Sequence, residues 1–333
     1  MGRPFLSDPA WVNKAEEGRS EDIQRCICCL RCMEYFQDHI MNGKPVGCAV
    51  NPRACRESEM MDAAPKNGGH RQIVIVGAGP AGLTAAKELA ARDFKVTVLE
   101  RQEEPGGQLL LAKMPPLKEK IAWPAETLAR QALQEGAEIR YHVDATKEMI
   151  NSYQPYAVIL ATGGEAVAPA IPGSDAENVV TVTPILMGEK KYQGKEIAVI
   201  GSGMTGLETA ELLQIQGNRV TIIEMADKIA PGAYPVNADD VIGRLKKGGA
   251  RFMPGRKLER ISSNQLHLSR KDGVMESIAT DATVLSIGVR SRNELEKEVS
   301  GCCDRLYVIG DAKKPGRIGD ATRSAFEVAR KIQ

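Results

Sequence analysis

The sequence predicts an α/β fold with two Rossmann-like units, one inserted into the other, behind a small cysteine-rich arm. Two observations carry this. A buried strand, Gly-x-Gly-x-x-Gly, a helix, a second strand and an acidic residue occur in that order twice, and in each copy the acidic residue lies 23 positions past the first glycine. Ahead of both copies, six of the eight cysteines crowd between positions 26 and 55. The 333 residues suffice for two or three domains with their own cores.

The arm comes first. Residues 1–25 are polar, with scattered Pro and Trp and no long period. Cys26-Ile-Cys28-Cys29-Leu-Arg-Cys32 follows, then Met33 to Met41, long enough for about two helical turns. Asn42-Gly43-Lys44-Pro45 is a turn signal just before Cys48. The Pro- and Gly-rich stretch Ala63 to His70 reads as a linker.

At Arg71 the texture changes. Gln72-Ile-Val-Ile-Val76 is an apolar run of the kind buried on both faces of a parallel sheet. It leads into Gly77-Ala-Gly79-Pro-Ala-Gly82, a helix from Leu83 to Ala91 and a strand from Lys95 to Glu100. The second copy runs Glu196 to Ile200, Gly201-Ser-Gly203-Met-Thr-Gly206, helix Leu207 to Gln216 and strand Arg219 to Glu224. Further strands are expected at Tyr156–Ala161, Ala282–Ile287 and Arg305–Ile309, and a last helix at Ala321–Ile332. A duplicated βαβ unit means two nucleotide-binding domains.

Composition narrows the setting. Forty-four basic against forty-three acidic residues give no electrostatic case for nucleic acid or a membrane surface. No apolar run approaches the ~20 residues that span a bilayer. The start, Met1-Gly-Arg-Pro-Phe-Leu-Ser-Asp-Pro9, has neither a basic nor an apolar region of a secretory signal. A secreted disulfide framework is therefore not expected, and a reducing cytoplasm is.

The glycine motifs carry defined chemistry. In each copy the first glycine (Gly77, Gly201) permits a tight turn and the second (Gly79, Gly203) admits a pyrophosphate to the backbone. The third (Gly82, Gly206) lets helix and strand pack closely, and the helix N-terminus offers free N–H groups to phosphates. Pro80, Ala81, Met204 and Thr205 belong to the same loops. Glu100 and Glu224 are placed to accept hydrogen bonds from ribose hydroxyls, and a carboxylate at 224 repels a 2′-phosphate, which favours NADH over NADPH. Lys228 lies near enough in sequence to blunt that preference.

The cysteines suit several chemistries. Iron–sulfur clusters need four converging thiolates, and a C-x2-C-x2-C loop supplies three. Thiolates at C-x2-C spacing also bind zinc, and a thiol–disulfide pair is a third reading. Cys28 is out of step, and Cys302 and Cys303, before a buried strand, read as packing residues. The four histidines show no partner spacing and no Ser-His-Asp motif is present, so no catalytic acid, base or nucleophile is assigned.

Taken together, Gly77 to Leu83, Gly106-Gly107-Gln108-Leu109, Ala161-Thr162-Gly163 and Gly310-Asp311-Ala312 resemble the two-dinucleotide-binding-domain flavoproteins. That resemblance implies an FAD domain at 71–190 plus 291–333 with an NAD(H) domain inserted at 191–290, after an arm of 1–70. It implies that Asp311 meets the ribityl–pyrophosphate region and that Gly107-Gln108 lies near the flavin ring. Arg101 and Val143 join the flavin site on the same ground.

With the starting motif, the cysteine loop and Cys48-Ala-Val-Asn-Pro-Arg53 added, the chain resembles the family of 2,4-dienoyl-CoA reductase and trimethylamine dehydrogenase. These are NADH:flavin oxidoreductases of the old yellow enzyme type. The resemblance implies a [4Fe-4S] cluster on Cys26, Cys29, Cys32 and Cys48, with electrons running from NADH through FAD to the cluster and on to FMN. Two departures stand out. Fifteen residues separate Cys32 from Cys48, a few more than the family leads one to expect, which keeps Cys55 as a rival ligand. The family's FMN-bearing (β/α)8 barrel, typically about 250 residues, is missing, with only Gly2 to Pro9 resembling its end. The chain is thus expected to be the electron-input portion of a larger enzyme, with an FMN barrel domain or subunit as acceptor and homo-oligomers possible. Trimethylamine dehydrogenase holds ADP in the first nucleotide site, so an ADP-stabilised electron-transfer or scaffold subunit is one alternative. A flavin-dependent disulfide reductase is another, disfavoured because the cysteines lie in an arm.

Overall fold

The computed structural model describes residues 2–59 and 65–333, which form two compact units. The first takes the described residues of Met1–Leu110, Glu119–Gly164 and Ser291–Gln333, the second Leu111–Lys118 and Glu165–Arg290.

The first unit is built on a parallel five-stranded sheet in the order Leu306–Val308, Ala157–Leu160, Gln72–Val76, Lys95–Leu99, Glu138–Arg140. The central strand explains the rest. Ile73 and Ile75 project into one core with Leu83 and Leu89 of helix Pro80–Ala90, Leu128 and Ala132 of helix Trp123–Gln134, and Ala325 and Ala329 of helix Ile318–Lys331. Val74 and Val76 face the other way, against Val158, Leu160, Ile150 and Val299. Strands covered on both faces read as unbroken apolar runs, which is the pattern at 72–76. Cys302 and Cys303 pack against this second core, partly buried.

The second unit repeats the plan with strands Val179–Thr181, Ala282–Leu285, Glu196–Ile200, Arg219–Ile223 and Arg251–Met253. Helices Met204–Ile215 and Pro235–Lys247 cover one face through Leu207, Leu213, Val241 and Leu245. An antiparallel meander of Arg256–Ile261, Gln265–Arg270 and Met275–Ala279 covers the other, packing Leu258, Leu266 and Leu268 on Ala198, Ile200 and Ile223.

Two divisions differ from those drawn on the sequence. The first change of unit falls at 164/165 rather than 190/191, because Val179–Thr181 pairs with Ala282–Leu285 and Val182, Ile185 and Leu186 enter the second unit's core. The arm is no separate body but part of the first unit. It is too short to enclose a core, so it borrows one. Thr322 Oγ1 donates to the Ala49 carbonyl (2.9 Å) and Arg53 pairs with buried Glu88 (2.5 Å). Stretch 1–25 holds short helices, Arg3–Ser7 and Trp11–Glu16, fastened by Asp8, which accepts from Lys14 Nζ (2.7 Å) and Gln24 N (2.9 Å). Of the expected linker, residues 63 and 64 lie outside the described residues. The rest is irregular but fastened, with Arg92 Nη2 donating to Asn67 Oδ1 at 2.7 Å. Among the described residues no helix is long and apolar enough to cross a membrane.

The tightest contact in the first unit lies where strand meets helix. A Cβ at Gly82 would stand 1.9 Å from the Gly77 carbonyl oxygen. Gly82→Ala should therefore lower the thermal unfolding midpoint of nucleotide-free protein, at an overpacking cost of about 1–3 kcal/mol. Gly243→Ala, on a helix with nothing within 4 Å of the added carbon, should be neutral or slightly stabilising. Equal midpoints for the two variants would overturn this account of the turn.

Candidate functional site

Both glycine turns have one geometry. Gly77 has φ +106° and sits against Ala161, whose carbonyl oxygen lies 2.4 Å from a would-be Cβ. Gly201 has φ +97° and meets the Ser286 carbonyl at 2.2 Å. Gly206, like Gly82, lies against the first glycine's carbonyl, at 2.2 Å. The middle glycines differ from these. A Cβ on Gly79 or Gly203 meets nothing within 4 Å, so each leaves open space just before its helix. Helices Pro80–Ala90 and Met204–Ile215 start at the next residue, presenting their unpaired N–H groups there.

The acidic residues close the turns. Glu100 is buried, its Oε2 accepting from Ala78 N (2.6 Å) and its Oε1 from Gln102 N (2.9 Å). Glu224, also buried, accepts from Ser202 N (2.9 Å), Ser202 Oγ (2.8 Å) and Ala226 N (2.8 Å). Both oxygens of Glu100, and Oε1 of Glu224, keep lone-pair capacity for a further donor, while Glu224 Oε2 is filled by Ser202. Ser202 was not singled out from the sequence. Fully buried, it also accepts from Ala230 N (2.9 Å) and so ties the loop after Glu224 to the glycine turn. Its only sequence signal is a hydroxyl between the first two glycines, where the other copy has Ala78.

The remaining first-unit residues gather on this turn at the C-terminal ends of the strands, where open α/β sheets bind ligands. Gly106 N donates to the Ala78 carbonyl (2.9 Å), and Gly107, at φ +53°, lies over Gly79, with its would-be Cβ 3.3 Å from that Cα. Gln108 Nε2 reaches the Gly164 carbonyl (2.7 Å), beside Ala161-Thr162-Gly163, and Thr162 Oγ1 donates to the Arg292 carbonyl (2.5 Å). Gly310 closes the ring, since a Cβ there would stand 2.8 Å from Ala81 Cβ. Asp311 follows, accepting from Gly316 N (3.0 Å), and burial pushes its carboxyl above the usual range. Val143 N donates to the Glu100 carbonyl (2.9 Å), whereas Arg101 is exposed at the strand end.

The arm forms a second feature of the same unit. Cys26, Cys29, Cys32 and Cys48 line one cavity, together with Arg3, Leu6, Ile27, Leu30, Ala49 and Val50. Cys28 and Cys55 are exposed and do not line it. Positive φ at Cys28 (55°) and Leu30 (58°) winds the loop so that Cys28 turns outward. Among the described residues no disulfide is formed. Among the described residues no three His, Cys, Asp or Glu side chains stand close enough to hold a single ion. Backbone N–H groups are aimed at the sulfurs, from Cys28 to Cys26, from Arg31 to Cys29, and from Val50 and Asn51 to Cys48. Burial pushes the Cys48 thiol up to about 11, the two N–H groups opposing it and neighbouring Cys29 and Cys32 adding to it. At neutral pH such a group is a thiol until a metal takes the proton's place.

Paired glycine turns, each clamped by a buried carboxylate and each heading its own parallel sheet, define a two-dinucleotide-domain oxidoreductase. The chain belongs to the pyridine nucleotide-disulphide oxidoreductase family, which it matches over residues 71–324. It is 36% identical over 340 residues to the NADH oxidase of Thermoanaerobacter brockii, covering 100% of this chain and 51% of that protein. It is 32% identical over 339 residues to the cinnamate reductase of Clostridium sporogenes, covering 100% and 49%. A solved 2-naphthoyl-CoA reductase superposes with a TM-score of 0.92 at 28% identity, over 99% of this chain and 50% of that one. The chain spans about half the length of the curated relatives it matches. It is the nucleotide-binding module of the 2,4-dienoyl-CoA reductase and trimethylamine dehydrogenase family, an oxidoreductase module of the FAD- and NAD(H)-using type.

The open space at the middle glycine separates binding from folding. Gly79→Ala should keep the melting midpoint of nucleotide-free protein and yet lower nucleotide content, weakening binding roughly tenfold or more, at about 1.4 kcal/mol per tenfold. The check is the nucleotide released on denaturing purified protein. Full occupancy in Gly79→Ala would show that the ligand does not approach this backbone.

Proposed function

We propose that this chain is the electron-input portion of a larger reductase, taking electrons from NADH and passing them to an FMN-bearing barrel domain or subunit. In this reading NADH binds the Gly201–Gly206 turn and FAD the Gly77–Gly82 turn. A [4Fe-4S] cluster is held by Cys26, Cys29, Cys32 and Cys48. When bound, these groups supply hydride acceptance and one-electron storage. The chain's own work is to hold and orient them and to limit the access of water to the partly buried cysteines.

The observation that carries the reading is the shared cavity, lined by four of the six arm cysteines at the matching positions. The donor set fits the group. A cluster spreads four thiolates over four irons, so its ligands stand farther apart than those of one ion. N–H groups directed at the sulfurs stabilise the charge of bound thiolate. In the nucleotide turns, the open space over Gly79 and Gly203 fits a pyrophosphate, and Glu100 and Glu224 keep lone pairs for ribose hydroxyls. Electron-transfer chemistry needs alignment more than acid–base groups, in keeping with the lack of an assigned acid or base. The doubled length of the relatives supports an acceptor beyond this chain.

Two experiments test the reading. Single replacement of Cys26, Cys29, Cys32 or Cys48 by Ser should abolish iron and the broad visible absorbance of anaerobically purified protein, while Cys28→Ser and Cys55→Ser retain both. Full iron in Cys48→Ser would move the fourth ligand to Cys55. In the same preparation NADH should bleach bound FAD, and ADP in place of FAD would make the chain a scaffold subunit instead.

Nucleotide preference is the second test. Glu224→Gln keeps an acceptor for Ser202 and Ala226 but removes the charge that repels a 2′-phosphate. It should narrow the NADH-over-NADPH gap about tenfold, given the roughly 1.5–3 kcal/mol that a charged hydrogen bond contributes. An unaltered protein that already prefers NADPH would refute the assignment and point to Lys228.

A further inference from the structure

Next to the cysteine cavity lies a group that the function just described does not use. Helix Arg31–Asn42 begins at the loop holding three of the cysteines, and Tyr35, one turn beyond Cys32, is its one buried residue. The ring is clasped by two guanidiniums, Arg31 with its Cζ 4.2 Å from the ring centroid and Arg323 at 5.2 Å. Arg323 comes from helix Ile318–Lys331 and presses on the loop before Cys48, its Nη2 lying 2.7 Å from a would-be Cβ on Gly47. The tyrosine hydroxyl lies against Gly319, 3.2 Å from its would-be Cβ, and Gly319 in turn touches Ala49. One aromatic ring thus joins the loops of Cys32 and Cys48 to the helix that follows the Gly310-Asp311 turn.

The charges are out of balance. Arg31 Nη1 pairs with Glu34 at 2.7 Å, while Asp320 is a distant 3.8 Å away. The Nε atoms of both Arg31 and Arg323 are buried without a hydrogen-bond partner. Arg3 lines the cavity itself, and Arg31 and Arg323 stand outside its wall. Burying guanidinium N–H groups without acceptors is costly unless an anion stands nearby. Four thiolates outweigh the positive charge of a [4Fe-4S] core, so the assembly they hold is an anion, and reduction adds one further negative charge. Net charge and hydrogen bonding around the sulfurs are what set such potentials.

We propose that Arg31 and Arg323, held in place by the Tyr35 ring between them, are positioning residues that make the cluster easier to reduce. Their fixed charges, just behind the loops of Cys32 and Cys48, stabilise the reduced cluster more than the oxidised one, and the ring holds both guanidiniums there. Tyr35 acts through the two arginines. Arginine suits the task because it stays charged when buried and stacks on an aromatic face.

The inference rests on the cluster reading, and iron and sulfide content of the unaltered protein tests that reading by itself. The test proper is a redox titration of whole, anaerobically purified protein, followed by electron paramagnetic resonance. In Arg323→Gln and Arg31→Gln the cluster midpoint should shift to lower potential at unchanged iron content. The ratio of reduced to oxidised cluster at a fixed potential should fall several-fold. Arg323→Lys should recover most of the shift, Tyr35→Phe should leave it near the starting value, and Tyr35→Leu should lower it. Where a Gln variant fails to keep its iron, the Lys and Phe variants decide. Unmoved midpoints in iron-replete Arg31→Gln and Arg323→Gln would overturn the proposal, as would a Lys variant shifted as far as Gln. Unaltered protein without iron or sulfide would instead overturn the cluster reading, and this proposal with it.

Discussion

The contact between the first and third glycines of each turn is the constraint on which the rest depends. At Gly82 and Gly206 a side-chain carbon would stand 1.9 and 2.2 Å from a carbonyl oxygen, far inside van der Waals contact. Removing that carbon lets the helix start at the sheet's edge, so its N-terminal N–H groups face the strand ends. The buried carboxylates then fasten the turn from the neighbouring strand, through Ala78 N in one copy and Ser202 in the other. Loop 106–108 and the Gly310 turn pack on a surface that exists only because this approach is allowed.

The arm shows how a segment without a core acquires a fixed shape. Its cysteine loop is held by contacts to helices that belong to the nucleotide-binding body, through Thr322, Glu88 and the Tyr35–Gly319 contact. Cavity residues on either side of a fifteen-residue gap are therefore located by the same framework that shapes the first glycine turn. This matters for chemistry. Metal ligands must be placed to within fractions of an ångström, and the elements most able to do so are rigid ones packed in the body of the protein.

Much of the fold was legible because its signals are local. Strands Gln72–Val76 and Glu196–Ile200 announced themselves as apolar runs followed by glycine. Helix Arg31–Asn42 was visible in part; it ends at Gly43 in the left-handed region. Helices Trp123–Gln134 and Pro235–Lys247 escaped notice because a proline near the start looks like a break, although the first helical turn tolerates it. The meander from 256 to 279 was missed as well. Its alternation at Leu258, Leu266 and Leu268 is short and interrupted by a bulge between Leu258 and Arg260.

By itself, the sequence determined that two nucleotide turns exist, where each begins, and which cysteines are available as ligands. Such features are written in contiguous residues, since a turn's chemistry is a matter of backbone freedom over a few positions. Only the tertiary structure decided which cysteines share a cavity, that residues 165–190 join the second unit, and that Ser202 braces Glu224. It alone brought Arg323 beside Tyr35, nearly 300 positions away. Those outcomes depend on which buried surfaces meet, and burial is set by the whole chain's packing, not by neighbours in sequence.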